Sequence, residues 1–152
     1  MTNFRTAALS VGCFLALATA SPRLIAAPDE AGAEGLVTKM GYIQRYLHKL
    51  DLSVQADNAR LAGYYIHELE ELVEELAEAG VIYEGHQVGA LTESMLTPAI
   101  EAVENALETG GDADAAVGGL VAQCNACHVA TERSWMKIER ARSNPFNQDF
   151  SP

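Results

Sequence analysis

The chain has 152 residues, a formal net charge of −11 and 49% hydrophobic residues. This length suits a single domain with its own core, and this composition argues against long disordered segments. So acidic a chain is a poor ligand for nucleic acid, whose phosphates require Lys and Arg, and for an anionic membrane surface. Charge complementarity instead favours a partner protein with a basic face.

The N-terminal segment has the features of an export signal. Arg5 precedes an apolar run over 6–20 that ends in Ala18-Thr19-Ala20, an A-x-A cleavage site after a run too short to span a bilayer comfortably. We predict a signal peptide over 1–20, with cleavage as late as 27 as an alternative. Retention of the run as a membrane anchor and lipid modification at Cys13 are two competing interpretations.

The mature domain is therefore expected to span 28–152, to lie in the periplasm and to have no membrane segment after processing. Removal of the first 27 residues takes away Arg5 and Arg23 but no acid, which brings the charge to about −13. Cys13 is lost with the signal, so Cys124 and Cys127 are the cysteines of the mature protein.

The first two predicted helices are amphipathic. The first begins after Pro28-Asp29 and runs into the low fifties, and its apolar residues alternate in steps of four and three, as in a bundle seam. Asp57 or Asn58 is the predicted cap of the second helix, which ends at Gly80. Glutamates cover the outer face of the second helix: Glu68, Glu70, Glu71, Glu74, Glu75 and Glu78.

Two further helices are predicted after a loop over about 80–90. The third contains Pro98 near its start and ends at Gly110-Gly111-Asp112. The fourth is predicted to run from about Asp114 to Arg142, where Asn144-Pro145 stops it. Four such helices with short connections predict an all-α protein, an antiparallel four-helix bundle with a C-terminal haem-binding helix.

The haem prediction comes from Cys124-Asn125-Ala126-Cys127-His128, a C-x-x-C-H motif typical of c-type haem attachment. Positions i and i+3 of a helix share a face, so both thiols can reach the two vinyl groups of one porphyrin. His128 turns to the same face and is the predicted proximal iron ligand of one covalent haem c. Three alternatives fit less well. A zinc site would need a second cysteine pair, which the mature chain lacks, and a thiol redox motif usually follows a strand, which is not predicted here. A disulfide is disfavoured because a regular helix orients the two cysteines poorly for a bond to each other.

An exported four-helix bundle with C-x-x-C-H on its last helix resembles the class II c-type cytochromes, which include cytochrome c′ and the low-spin cytochrome c556 type. The resemblance covers the mature chain in helix order, and the haem motif is its specific part. The places three and four after the proximal His are often aromatic and basic in that family, whereas Thr131 and Glu132 occupy them here. This departure, together with an unusual tail over 144–150, indicates a divergent branch.

The resemblance also implies a candidate for the sixth iron ligand. A residue early in the first helix faces the haem in this family, as a ligating Met in the c556 type and as a non-ligand in cytochrome c′. Met40 is the matching position and the predicted sixth ligand, with core packing as the alternative. Among the rival imidazoles, His48 and His67 are expected to face water, and His86 lies on a loop.

We predict a periplasmic electron carrier with His128 and Met40 as axial ligands. A five-coordinate haem protein that binds NO or CO is the alternative. An enzyme is not expected, because no distal His–Arg pair for peroxide chemistry can be placed and covalent haem would consume both thiols. Glu132 is expected to be an exposed acid rather than a partner of His128, and Trp135 to pack in the core. The resemblance also allows a homodimer through the first two helices.

Overall fold

The computed structural model describes residues 30–152, with side chains from residue 35 onward. The predicted signal peptide over 1–20, the alternative cleavage at 27 and Cys13 lie outside the described residues. The elements are α1 (Glu30–Gln55), α2 (Ala59–Glu78), β1 (Ile82–Tyr83), β2 (His86–Gln87), α3 (Val88–Thr109) and α4 (Ala113–Ala130). The prediction of an all-helical protein with four helices packed against one another is confirmed.

The helices pack in chain order, α1 on α2, α2 on α3 and α3 on α4, whereas α1 and α4 contact each other much less. The predicted apolar seam of α1 is confirmed by the burial of Leu36, Ile43, Leu47 and Leu50. Burying one such side chain fully contributes about 1.5–3 kcal/mol. Among residues 30–152, none of the helices combines the length and apolar character that crossing a membrane demands.

Polar side chains fix the starts of α2 and α4. Asn58, one of the two predicted caps, caps α2 by accepting a hydrogen bond from the backbone N–H of Leu61 at 3.0 Å. Asp112 caps α4 in the same way through the N–H of Ala115 at 2.9 Å. Each such cap contributes about 1 kcal/mol. Gly110, with φ 71°, ends α3 in the left-handed conformation that glycine adopts most readily.

The connection between α2 and α3 is tighter than the predicted loop over 80–90. β1 and β2 form a hairpin whose turn residues, Glu84 and Gly85, both have positive φ, and α3 begins directly afterwards at Val88. Gly89 lies so close to the end of α2 that an added Cβ would be 2.7 Å from the carbonyl oxygen of Leu76. This close approach fixes the start of α3 against the end of α2.

The predicted fourth helix is too long, because α4 ends at Ala130 rather than near Arg142. The Thr131 hydroxyl donates to the carbonyl of Cys127 at 3.0 Å, and Glu132 adopts a left-handed φ of 60°, which stops the helix. Residues 131–152, called here the C-terminal strap, have no regular secondary structure and return along α4 toward its start. Trp135, predicted to pack in the core, is 75% exposed on the strap.

The strap covers the gap between α1 and α4. Arg140 bridges the two helices through the carboxylates of Asp51 on α1 and Asp114 on α4. Further along the strap, Phe150 is buried against the core beside Tyr65. The strap therefore supplies part of the packing that α1 and α4 do not give each other.

Candidate functional site

Both cysteines of the C-x-x-C-H motif are free and buried at the C-terminal end of α4. Burial raises the pKa of Cys124 to about 11 and also raises the pKa of Cys127. Catalytic thiol pairs depend on a lowered pKa, because the thiolate is the nucleophile. The environment of these two thiols therefore disfavours thiol–disulfide exchange chemistry.

His128 has one ring nitrogen engaged. Its Nδ1 lies 2.9 Å from the backbone carbonyl oxygen of Met136 on the strap. A carbonyl only accepts hydrogen bonds, so Nδ1 must carry the proton, and in the neutral ring Nε2 is left with a free lone pair. Metal-binding histidines commonly donate their second ring N–H to such an acceptor. Glu132 is exposed, as expected, and the partner of His128 is a carbonyl that the sequence did not suggest.

Asn125, the first residue between the two cysteines, holds the strap against α4. Its side-chain nitrogen donates to the carbonyl of Ile138 at 2.9 Å, and its side-chain oxygen accepts from the N–H of Ile138 at 2.8 Å. The sequence indicates no role for Asn125, because the C-x-x-C-H motif leaves this position unspecified. A paired contact of this kind becomes visible only when the course of the strap is known.

Met40, the predicted sixth ligand, is partly buried in α1 and packs against the core. Its neighbour Lys39 pairs with Glu75 near the end of α2. Arg133, five residues after His128, pairs with Glu84 in the hairpin that follows α2. Met40 and His128 therefore lie toward the same end of the molecule, near the end of α2.

The other histidines have different surroundings. His48 is partly buried rather than fully exposed to water, because the strap covers one side of it. Its Nε2 lies 3.0 Å from the carbonyl of Ser143, and its ring packs edge-on against Phe146. His67 is exposed between Glu70 and Glu71, as expected. No group of three or more His, Cys, Asp or Glu side chains suited to a metal ion occurs in the described part of the chain.

A pocket of about 210 Å³ lies between α1, α4 and the strap. Its walls include Leu47 and His48 of α1, Val121 of α4 and Ile138 of the strap. Val121 is three residues before Cys124, so the pocket adjoins the helix face that carries the motif. Sites for small molecules usually measure about 300–1,000 Å³. In this conformation the strap fills part of the space beside the motif.

No family model, curated protein or solved structure matches this chain. Its function is therefore inferred from its own residues. Two free thiols one helical turn apart and an imidazole with a free Nε2 are the donor set that a covalently bound haem requires. The residues present thus fit a haem, with Cys124, Cys127 and His128 as the groups that would hold it.

Proposed function

We propose that this protein is an exported c-type cytochrome of the class II kind, with one haem c bound through Cys124 and Cys127 and its iron ligated by His128. The observation that carries the proposal is the C-x-x-C-H motif on α4, in which the Nδ1 of His128 is engaged and Nε2 is free. Export by the segment over 1–20 to the periplasm belongs to the same proposal.

The state of the thiols supports this proposal. Thioether attachment would add each thiol across one vinyl double bond, with sulfur on one carbon and the thiol hydrogen on the other, so it would need no oxidant. Cys124 and Cys127 are both unpaired and, with raised pKa values, carry their protons at neutral pH. They are therefore in the form that this addition consumes.

The arrangement of the helices is also consistent with an antiparallel bundle whose last helix binds haem. Short connections join the consecutive helices, and direct contact between α1 and α4 is much weaker than the contact between consecutive helices. Val121, on the motif-bearing side of α4, lines the pocket in this gap. We infer that the haem lies on this side of α4, and that the part of the strap after Ile138 adjusts to make room while the Asn125–Ile138 contact is kept.

Electron transfer is the function that we favour, with Met40 as the sixth ligand. A bound haem supplies one-electron redox chemistry, and the protein supplies the axial ligands and the surface for its partner. Met40 offers a thioether, and its partial burial toward the same end as His128 is compatible with ligation. The glutamates on α2 and the net charge of −11 favour encounter with a partner that has a basic face.

The alternative is a five-coordinate haem protein that binds NO or CO. One observation favours it: Met40 packs against the core, so its side chain already has a structural role without iron. In that case the distal position stays open to small gases, and Met40 acts as apolar packing beside it.

Visible spectra of the mature exported protein test both functions. We expect a low-spin haem in the reduced protein, unchanged by carbon monoxide. Replacing Met40 with alanine should convert it to a high-spin haem that binds carbon monoxide, whereas Met95→Ala, at a partly buried position on α3, should leave the spectrum unchanged. A high-spin wild type that binds carbon monoxide would refute the electron carrier in favour of the gas binder, and a colourless protein would refute both.

A further inference from the structure

The strap and the C-x-x-C-H motif are joined through one residue pair. Asn125 and Ile138 exchange two hydrogen bonds, 2.9 Å and 2.8 Å long, in which the asparagine amide pairs with the backbone as a neighbouring strand would. The Asn125 amide nitrogen also donates to the carbonyl of Val121, one turn earlier on α4, at 3.1 Å. This third bond fixes the rotamer of the side chain that holds the strap.

This pairing brings the carbonyl of Met136 to His128. Met136 is two residues before Ile138 on the strap, and His128 is three residues after Asn125 on α4, so both contacts lie on the same side of α4. Before Met136, the backbone N–H of Arg133 donates to the carbonyl of His128 at 2.7 Å. After Met136, the Asn125 contact is the first that holds the strap against α4. Further along, Asp51 on α1 holds the strap by accepting from the Arg140 side chain and from the backbone N–H of Ala141.

We propose that Asn125 is a positioning residue that, by clamping the strap, fixes His128 with its proton on Nδ1 and its Nε2 free to bind iron. The inference rests on the proposed function, because the oriented imidazole is useful only if Nε2 has a metal to bind. It assigns a task to a position that the attachment motif itself leaves open. It also explains why the strap lies against α4 at a point so close to the proximal ligand.

The tautomer of His128 can be measured without haem. Long-range proton–nitrogen NMR spectra distinguish Nδ1–H from Nε2–H in a neutral imidazole ring. They are recorded at alkaline pH on the full chain, produced in a host that lacks cytochrome-maturation enzymes. We expect the Nδ1–H form in the wild type. In Asn125→Ala the ratio of Nδ1–H to Nε2–H should fall at least about fivefold, the equivalent of one ordinary hydrogen bond.

Two further variants sharpen the test. Asn125→Asp keeps the acceptor for the Ile138 N–H but loses the donor, so its tautomer ratio should lie between those of the wild type and Asn125→Ala. Gln123→Ala, at an exposed position on the same helix, should keep the wild-type ratio. If Asn125→Ala does not fold, the tautomer ratios of the wild type and Asn125→Asp still test whether Asn125 positions His128.

The same variants give a second measurement in the haem-bound protein. An imidazole that donates from Nδ1 is a stronger electron donor, so loss of the Met136 contact should raise the reduction potential in Asn125→Ala and not in Gln123→Ala. An Nε2–H tautomer in the wild type, or an unchanged ratio in both Asn125 variants, would overturn the inference. Absence of haem from every variant would instead refute the proposed function while leaving the tautomer measurement intact.

Discussion

Replacing Asp51 with alanine should release the C-terminal strap and destabilise the fold. Asp51 is 1% exposed and accepts hydrogen bonds from three partners: the Arg140 guanidinium at 2.9 and 2.6 Å, the Ala141 N–H at 2.6 Å and the Gln55 amide at 2.9 Å. The variant leaves the Ala141 N–H without this acceptor and Arg140 without its buried carboxylate. Most of the anchoring of the strap on α1 near residue 140 is then lost.

The magnitude follows from the burial of the two partners. Breaking a buried ion pair by removing one partner costs about 3–5 kcal/mol. The Arg140 side chain is 31% exposed and keeps Asp114, so solvent and a second carboxylate compensate part of the loss. We therefore expect the free energy of unfolding to fall by about 3 kcal/mol, at the lower end of that range.

Urea denaturation followed by circular dichroism measures this change, with all variants compared in the same haem state. Asp114→Ala is the matched control, because Asp114 binds the same arginine but its side chain is 67% exposed. Its cost should stay below about 1 kcal/mol. Equal losses in the two variants would refute the claim that the buried contact with α1 anchors the strap.

The stabilisation by Asp51 should also depend on pH. Burial alone would raise the pKa of Asp51, but hydrogen bonds from Arg140, Ala141 and Gln55 outweigh it and lower the pKa below its usual value. The carboxylate therefore stabilises the fold fully above the unfolded pKa of about 3.9, and this contribution is lost as the pH falls through the lower folded pKa. The stability difference between wild type and Asp51→Ala should narrow correspondingly in acid.

Three further predictions concern packing, thiols and charge. Gly89→Ala should lower the urea midpoint, because the new Cβ would meet backbone atoms at 2.7 and 2.9 Å. Gly63→Ala, whose new Cβ has nothing within 4 Å, should instead raise the free energy of unfolding by up to about 1 kcal/mol. The reverse order of stability would contradict the close packing of α3 on α2. In the haem-free folded chain, alkylation of Cys124 near pH 8 should be about 100-fold slower than in urea. The reason is that a pKa of about 11 in place of 9.0 lowers the thiolate fraction by about that factor. Mass spectrometry measures both rates, and equal rates would contradict the burial of the Cys124 thiol. Electron transfer to a basic partner should slow as salt rises, and stopped-flow rates independent of ionic strength would argue against steering by the acidic surface.

The apolar periodicity of the sequence was sufficient to predict the helical fold. The spacing in α1 identified its buried face, because a helix with one apolar stripe is stable only when that stripe is covered. Asn58 was one of two candidate caps, and the structure selects it because Asp57 adopts a left-handed φ of 57°. These features depend on residues close together in the chain, which is why a sequence can reveal them.

The course of the chain after α4 was not predictable in the same way. Thr131, Trp135 and Ile138 have helical spacing, yet only Thr131 and Ile138 turn toward the protein, and Trp135 faces outward. What holds the strap are polar contacts between distant residues, such as Asp51 with Arg140 and Asn125 with Ile138. Such pairs carry no periodic pattern, because they depend on where the helices lie in space.

The candidate site likewise has one part that the sequence predicted, the attachment motif, and one that it did not, the acceptor for His128. The spacing of Cys124, Cys127 and His128 identified the motif, since its chemistry lies within one helical turn. The acceptor for His128 could not be found, because it is a backbone carbonyl of Met136 and any residue type would provide it. The sequence correctly predicted that Glu132 is an exposed acid rather than this acceptor, but it indicated no other partner for His128.

The most direct test of the central claim is the intact mass of the mature exported protein under denaturing conditions, after extraction with acidified organic solvent. A haem held only by iron ligation is removed by this treatment, whereas a haem bound through Cys124 and Cys127 stays. We predict the mass of the polypeptide plus one haem, and the mass of the polypeptide alone when both cysteines are replaced with alanine. A wild-type protein that shows only the polypeptide mass, from a host that matures other c-type cytochromes, would contradict the account.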